Sequence, residues 1–144
     1  MDILIINGPN LNMLGIREPE IYGSLTLGQL NEKVNDEAKL IGLNLEFYQS
    51  NHEGAIIDKI QSAYNRVDGI IINPGAYSHY SYAIRDAIKS VDIKTVEVHL
   101  SDIANREYFR KTSVIEEVVA KQISGKGVNS YIEALHYLKD HISK

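Results

Sequence analysis

An α/β fold with a mostly parallel sheet is predicted by three features of this sequence. Apolar runs of strand length alternate with amphipathic stretches of helix length along the chain. One run, Gly69-Ile70-Ile71-Ile72-Asn73, is apolar on both faces, as a central parallel strand must be. No composition shift, linker, internal repeat or low-complexity segment interrupts the alternation, so residues 1–144 read as a single domain.

Five strand–helix units can be placed. The first strand spans about Asp2–Asn7, with Ile3-Leu4-Ile5-Ile6 as its buried run. Thr26 fits an N-cap and Gln29 completes a capping box. Leu27, Leu30, Val34, Ala38 and Ile41 then recur at helical spacing, and Gly42 ends the helix. Leu43, Leu45 and Phe47 alternate through the second strand, and Ile56, Ile57, Ile60, Ala63 and Tyr64 mark the second helix. After the third strand, Pro74-Gly75 breaks the run and a helix is expected from about Ser78 to Ser90. Thr95–Leu100 is the fourth strand, followed by a short polar helical segment near Asn105–Phe109. Val118–Ser124 is the expected fifth strand, and the last helix runs from about Asn129 to His141. At this length the flavodoxin-like arrangement follows: a three-layer sandwich on a five-stranded parallel sheet, order 2-1-3-4-5.

Composition removes several classes of function. A chain of 144 residues is too short for a (β/α)₈ barrel of about 250 residues. Net charge is −4 and no basic tract interleaved with aromatics occurs, so nucleic-acid binding is not expected. The absence of cysteine excludes disulfides, thiolate nucleophiles and zinc–sulfur sites. No apolar run approaches the roughly 18 residues of a membrane span, and no leader pattern is visible; a cytoplasmic protein is expected.

The loop from Asn7 to Gly23 is long for a strand-to-helix connection, where about 2–6 residues are usual. It lies at the carboxyl end of a strand, where ligands bind in open α/β sheets. The other strand ends carry polar residues to the same rim: Ser50, Asn51, His52 and Glu53; Asn73, Tyr77 and His79; Glu97, His99, Ser101 and Asp102. One site at the rim is therefore expected.

Within that rim, Arg17 and Tyr22 are the first candidates. A phenol titrates near pH 10, and a guanidinium within about 4–6 Å lowers that by about 1–3 units, towards the range of a useful general base. Glu97 and His99 lie two apart on a strand and share a face. A carboxylate there would fix the imidazole tautomer and make His99 a proton donor, though a half-exposed strand with one wet face fits the same pattern. His79 and Asp86, seven apart, would share a helical stripe, and Arg106 and Arg110 one face of the next segment. Solvated charged faces account for both pairs equally well. Gly125-x-Gly127-x-x-Ser130 echoes a dinucleotide fingerprint, but no strand or acidic residue follows, so a tight turn is expected. No pair of histidines has metal-ligand spacing.

The blocks Asn7-Gly8-Pro9-Asn10-Leu11-Asn12 and Arg17-Glu18-Pro19-Glu20-Ile21-Tyr22-Gly23 resemble the opening signature of the type II 3-dehydroquinases. Gln49–Gly54, Asn73–Tyr77, Arg85-Asp86-Ala87, Glu97–Ser101 and Arg106-Glu107-x-Phe109-Arg110 are similar to that family's remaining blocks, in the same order. The resemblance covers essentially the whole chain. It implies a cofactor-free and metal-free dehydratase that converts 3-dehydroquinate to 3-dehydroshikimate in the shikimate pathway, assembled as a homododecamer, a tetramer of trimers. By the same resemblance, Tyr22 is the base, Arg17 holds it as phenolate, and Asn12 stabilises the enolate. His99, oriented by Glu97, is the acid of an anti elimination. Asn73, Ser101 and the backbone at Leu100 would hold the substrate carboxylate, His79 and Arg110 the ring hydroxyls, and Asp86 would arrive from a neighbouring subunit. No lysine stands at a strand end on the rim, consistent with a route that needs no Schiff base.

The chain departs from the family pattern at Thr95, Asp102, Ala120-Lys121-Gln122, Tyr80 and Tyr82. These leave open the polarity near Ser101 and the bounds of the fifth strand. Two other readings compete. A non-catalytic flavodoxin-like binding module leaves the Arg17/Tyr22 and Glu97/His99 pairs without a purpose. A metal-assisted hydrolase would need His52, His79 and His99 to converge.

Overall fold

Three β-strands rich in isoleucine and valine form the centre of the sheet, with a six-residue strand at one edge and a three-residue strand at the other. The computed structural model describes residues 1–16, 20 and 24–142. The strands are β1 (Asp2–Asn7), β2 (Asn44–Gln49), β3 (Gly69–Asn73), β4 (Lys94–Val98) and β5 (Lys121–Ile123). All pair in parallel, in the order β2-β1-β3-β4-β5. The flavodoxin-like α/β expectation holds.

Side chains alternate across the sheet and set its two cores. Ile3, Ile5, Ile71, Val96 and Val98 face α1 (Leu27–Ile41) and α4 (Val128–His141). Leu4, Ile6, Ile70 and Ile72 face α2 (Glu53–Ser62) and α3 (Tyr82–Val91). The three isoleucines of β3 are fully buried, each contributing about 1.5–3 kcal/mol by removal from water. The register places Asn7 opposite Asn73, so two amides end adjacent central strands at one rim. Their odd numbers put them on the face covered by α1 and α4.

Helix ends follow local chemistry. Thr26 and Gln29 form the expected capping box, with bonds of 3.2 and 3.0 Å, and Gly42 closes α1 in the left-handed region. Several boundaries differ from expectation, among them β4, which ends at Val98 and not at Leu100. The third helix starts at Tyr82, because Ser81 caps it by accepting from Ile84 N–H at 3.1 Å. The stretch Gly75–His79 is instead a separate 3₁₀ turn, so His79 and Asp86 do not share a helical stripe. The segment after β4 forms two 3₁₀ turns, Ile103–Asn105 and Tyr108–Arg110, rather than one helical stretch. Glu116–Val118 is also a 3₁₀ turn, which shortens the fifth strand to Lys121–Ile123. Tyr64 lies past the end of α2 and is exposed.

Candidate active site

Asn7 and Asn73 at the ends of β1 and β3 are joined through a third group that periodicity gave no reason to select. Tyr131 of α4, fully buried, donates its hydroxyl to Asn7 Oδ1 at 2.6 Å and accepts from Asn73 Nδ2 at 3.0 Å. Burial pushes the Tyr131 phenol far above its usual range, so it stays protonated. Asn73 Oδ1 accepts from Gly75 N–H at 3.2 Å, which tightens the turn after β3. An amide nitrogen carries two hydrogens, so Asn73 keeps one donor for the cavity above it.

That cavity lies at the carboxyl rim. It is lined by six of the residues selected from sequence: Asn73, His79, His99, Leu100, Ser101 and Arg110. Asn10, Arg106 and the apolar side chains of Leu11, Leu14 and Ile103 complete the wall. Gly8 is required where this wall meets β3: an added Cβ would stand 2.7 Å from the Pro74 carbonyl oxygen. Two arginines and two histidines in one concavity favour an anionic ligand.

Glu97 and His99 share the sheet face covered by α2 and α3, as the alternation predicts. Glu97 is fully buried in β4, and His99, one residue past the strand, donates its backbone N–H to the Ile123 carbonyl at 3.0 Å. His99 Nε2 donates to Glu97 Oε2 at 2.6 Å, and the Ser113 hydroxyl donates to the same oxygen at 2.8 Å. A carboxylate only accepts, so the neutral ring carries its proton on Nε2 and leaves Nδ1 for the cavity. The second carboxylate oxygen, Oε1, is buried with no hydrogen-bond partner among the described residues. A buried charge is costly unless paired, and the pairing here falls on a single oxygen.

His79 is oriented differently. Its Nδ1 donates to the Thr112 carbonyl at 2.8 Å, which leaves Nε2 as the open nitrogen, and its ring stands edge-on to Phe109. Arg110 stacks over the same Phe109 at 4.8 Å and pairs with Glu107. Arg106 donates to the Ser101 hydroxyl at 3.2 Å. Asp102 accepts from Asn105 at 2.7 Å within the first turn after β4.

Other selected residues stand apart from the cavity. Asn12 sits on the 3₁₀ turn Leu11–Met13, exposed, with its oxygen 3.4 Å from Gln49 Nε2. Asp86 is exposed on α3 and does not line the cavity. Arg17 and Tyr22 lie outside the described residues. The end of β2 does not join the rim as a source of cavity groups. Asn51 Oδ1 accepts from Asn10 N–H at 3.0 Å, its carbonyl accepts from the Tyr77 hydroxyl, and Gln49 donates to the Gly8 carbonyl. Ser50 caps the turn by accepting from His52 N–H, and Glu53 accepts from the Ser81 hydroxyl. These groups brace the loop that forms the cavity wall. His52 is therefore not with His79 and His99, and no group of three metal-binding side chains occurs among the described residues.

Sequence reasoning missed Ser113, Thr112 and Tyr131. Tyr131 reads from sequence as one more apolar residue on a helical face. Ser113 falls in a stretch without regular periodicity, where only its position in space reveals its partner.

The arrangement is that of a flavodoxin-like α/β protein with an acid–base pair and an anion-favouring cavity at the strand carboxyl ends. The model of the class II dehydroquinase family matches residues 1–139, and the chain belongs to that family. It is 60% identical, over 139 residues and 96% of each chain, to a Caldicellulosiruptor saccharolyticus protein named 3-dehydroquinate dehydratase. It is 54% identical over 144 residues, the whole of both chains, to a protein of the same name from Clostridium acetobutylicum. The crystal structure of a type II dehydroquinase from Butyrivibrio crossotus matches with a TM-score of 0.95 and 57% identity, covering 96% of this chain and 97% of that one. A 3-dehydroquinate dehydratase-like protein from Bifidobacterium longum is more distant, with a TM-score of 0.75 and 27% identity over 100% of this chain and 99% of that one.

Proposed function

We propose that this protein is a hydro-lyase that removes water from 3-dehydroquinate to give 3-dehydroshikimate, a step of the shikimate pathway. The observation that carries the reading is the buried Glu97–His99 pair opening onto a cavity with Asn73, Ser101 and Arg110. It stands in a chain of the class II dehydroquinase family.

In this reading the Tyr22 phenolate, held by Arg17, removes the proton alpha to the substrate ketone. The electron pair moves onto the carbonyl oxygen as an enolate, which Asn12 stabilises. The enolate then collapses, the carbon–carbon double bond forms, and the β-hydroxyl leaves from the opposite face. His99 supplies the proton that makes it water, and Glu97 stabilises the imidazolium that holds that proton beforehand. Proton return from Tyr22 to His99 resets the site, so no proton is consumed. Asn73, Ser101 and the backbone around Leu100 hold the carboxylate, while His79 and Arg110 hold ring hydroxyls. No step needs a metal or an organic cofactor.

The reading extends to assembly. Asp86, exposed on α3, enters the cavity of a neighbouring subunit within a trimer, and four trimers make a dodecamer. The enzyme works in the cytoplasm as a single domain of residues 1–144. A solution mass equal to one chain would overturn the shared site.

The decisive assay mixes purified protein with 3-dehydroquinate and follows the ultraviolet absorbance of the conjugated enone. An increase that survives chelator and borohydride treatment supports the reading. Tyr22→Phe is expected to abolish turnover with substrate binding kept. Near-parental turnover in that variant would remove Tyr22 from the role of base.

A further inference from the structure

Three consecutive residues form a strap beside the cavity: Thr112 bonds His79, Ser113 bonds the Glu97 carboxylate that holds His99, and Val114 anchors the two. The Thr112 carbonyl accepts from His79 Nδ1 at 2.8 Å. The Ser113 hydroxyl donates to Glu97 Oε2 at 2.8 Å, the oxygen that also takes His99 Nε2 at 2.6 Å. Val114 N–H donates to the Ser78 carbonyl at 2.7 Å, and its own carbonyl accepts from Arg85 Nη1 at 2.9 Å. Ile115, fully buried, donates its N–H to Ser113 Oγ at 3.2 Å. The strap is thus fastened to the turn after β3, to α3 and to the core at once.

We infer that Ser113 is a positioning residue for His99, and that residues 112–114 set the ring orientations of both cavity histidines. The chemistry is one-sided at each contact. A carbonyl and a carboxylate accept but do not donate, so His79 carries its proton on Nδ1 and neutral His99 on Nε2. The two rings therefore turn opposite nitrogens towards the ligand: Nε2 of His79 and Nδ1 of His99. Adjacent residues of one strap enforce that difference.

Ser113 acts through the carboxylate. The terminal torsion of a glutamate is broad and nearly two-fold, so a carboxylate held by one donor is free to turn. Glu97 Oε1 has no hydrogen-bond partner of its own among the described residues. The Ser113 hydroxyl and His99 together hold Oε2, and that fixes the plane in which the imidazole lies. Without the hydroxyl the carboxylate has a second orientation available, and His99 loses its single direction.

The activity arm of this inference rests on His99 being the acid, but its spectroscopic arm does not. In protein with ¹⁵N-labelled histidine, assigned through His79→Gln and His99→Gln, neutral His99 is expected as the Nε2–H tautomer and neutral His79 as Nδ1–H. Ser113→Ala is expected to weaken and shift the strongly deshielded Nε2 proton of His99 while the His79 signals stay in place. In the same variant kcat is expected to fall about tenfold, the order of losing one hydrogen bond to a charged group, with KM held within about twofold. Ser113→Thr, which keeps the hydroxyl, is expected to restore both the proton signal and most of the rate. A folded Ser113→Ala protein with parental His99 signals and kcat overturns the inference, as does an Nδ1–H tautomer for neutral His99 in the parent. Should Ser113→Ala not fold, the parent tautomers and the Ser113→Thr signal decide the matter. A parent without dehydratase turnover but with the expected ring signals would defeat the functional reading and leave the strap standing.

Discussion

The ends of β2 and β4 carry nearly the same chemistry and do different work. Each presents a glutamate, a histidine and a serine within five residues: Ser50, His52 and Glu53 on one, Glu97, His99 and Ser101 on the other. At β2, an edge strand, Ser50 and Glu53 turn to neighbouring loop and helix groups while the His52 side chain is exposed. Ser50 accepts from the His52 N–H, and Glu53 accepts from the Ser81 hydroxyl. At β4, an inner strand, the glutamate is sealed beneath the histidine, whose free nitrogen is left for the cavity. Residue type therefore does not separate a brace from a chemical group. Depth does: a fully buried carboxylate with one ring donor forces that ring into a single orientation, whereas a carboxylate near the edge serves local geometry.

The strongest way to break this comparison is to neutralise the carboxylate at each end. Glu97→Gln is expected to lower kcat by about 10²–10⁴-fold, the usual range for losing a positioned general acid. Glu53→Gln is expected to leave kcat within about threefold and to cost about 1 kcal/mol in urea denaturation, the worth of one hydrogen bond. Steady-state rates with similar losses in the two variants would abolish the distinction.

A smaller effect is expected at the tyrosine that joins β1 to β3. Tyr131→Phe leaves Asn7 and Asn73 without their shared hydroxyl and is expected to cost about 1–3 kcal/mol of stability. The parent should also lose stability in alkali. Burial raises the folded-state phenol above its unfolded value near 10, so the folded form holds its proton more tightly. Stability is then fully present below about pH 10 and declines as pH rises towards the folded value. Equilibrium unfolding from pH 8 to 11 should show a steeper decline in the parent than in Tyr131→Phe; parallel curves would contradict it.

The smallest effect belongs to a carboxylate on β2 itself. Glu46 is bonded first by Lys59 and then by Arg66, both at 2.6 Å, and these hold its carboxyl below the ordinary value. The stabilisation is present above that ordinary value and disappears as pH falls through the lower folded one. Because Glu46 is more than a third exposed, screening limits the contribution to some tenths of a kcal/mol. Glu46→Gln should therefore shift stability slightly at neutral pH and not at all in strong acid.

Much of this molecule was legible in its amino-acid order. Strand alternation and the capping box at Thr26 and Gln29 identified the elements, because both rest on local periodicity and local hydrogen bonds. The cavity residues from Asn73 to Arg110 followed from strand ends and from the family resemblance. Other features depended on distance in space. Ser81 displaced the start of α3 because a side-chain cap outcompeted three residues of apparent helix. Ser113 and Tyr131 have no local pattern that announces them, since their partners lie 16 and 124 residues away. Asn12 and Asp86 were selected on resemblance, and in the isolated chain both stand outside the cavity lining.

The union of Asn7, Asn73 and Tyr131 also sets a schedule. A nascent chain that has emerged as far as Gly127 already contains both asparagines, β1 to β5 and every described residue of the cavity wall. It lacks the hydroxyl beneath them and the helix whose Leu135 and Leu138 seal that side of the sheet. At about 5–20 residues per second of synthesis, the ribosome delivers the floor of the site last. Until α4 docks, two buried amides have no bridge between them, so the pocket matures only when the end of the domain is made.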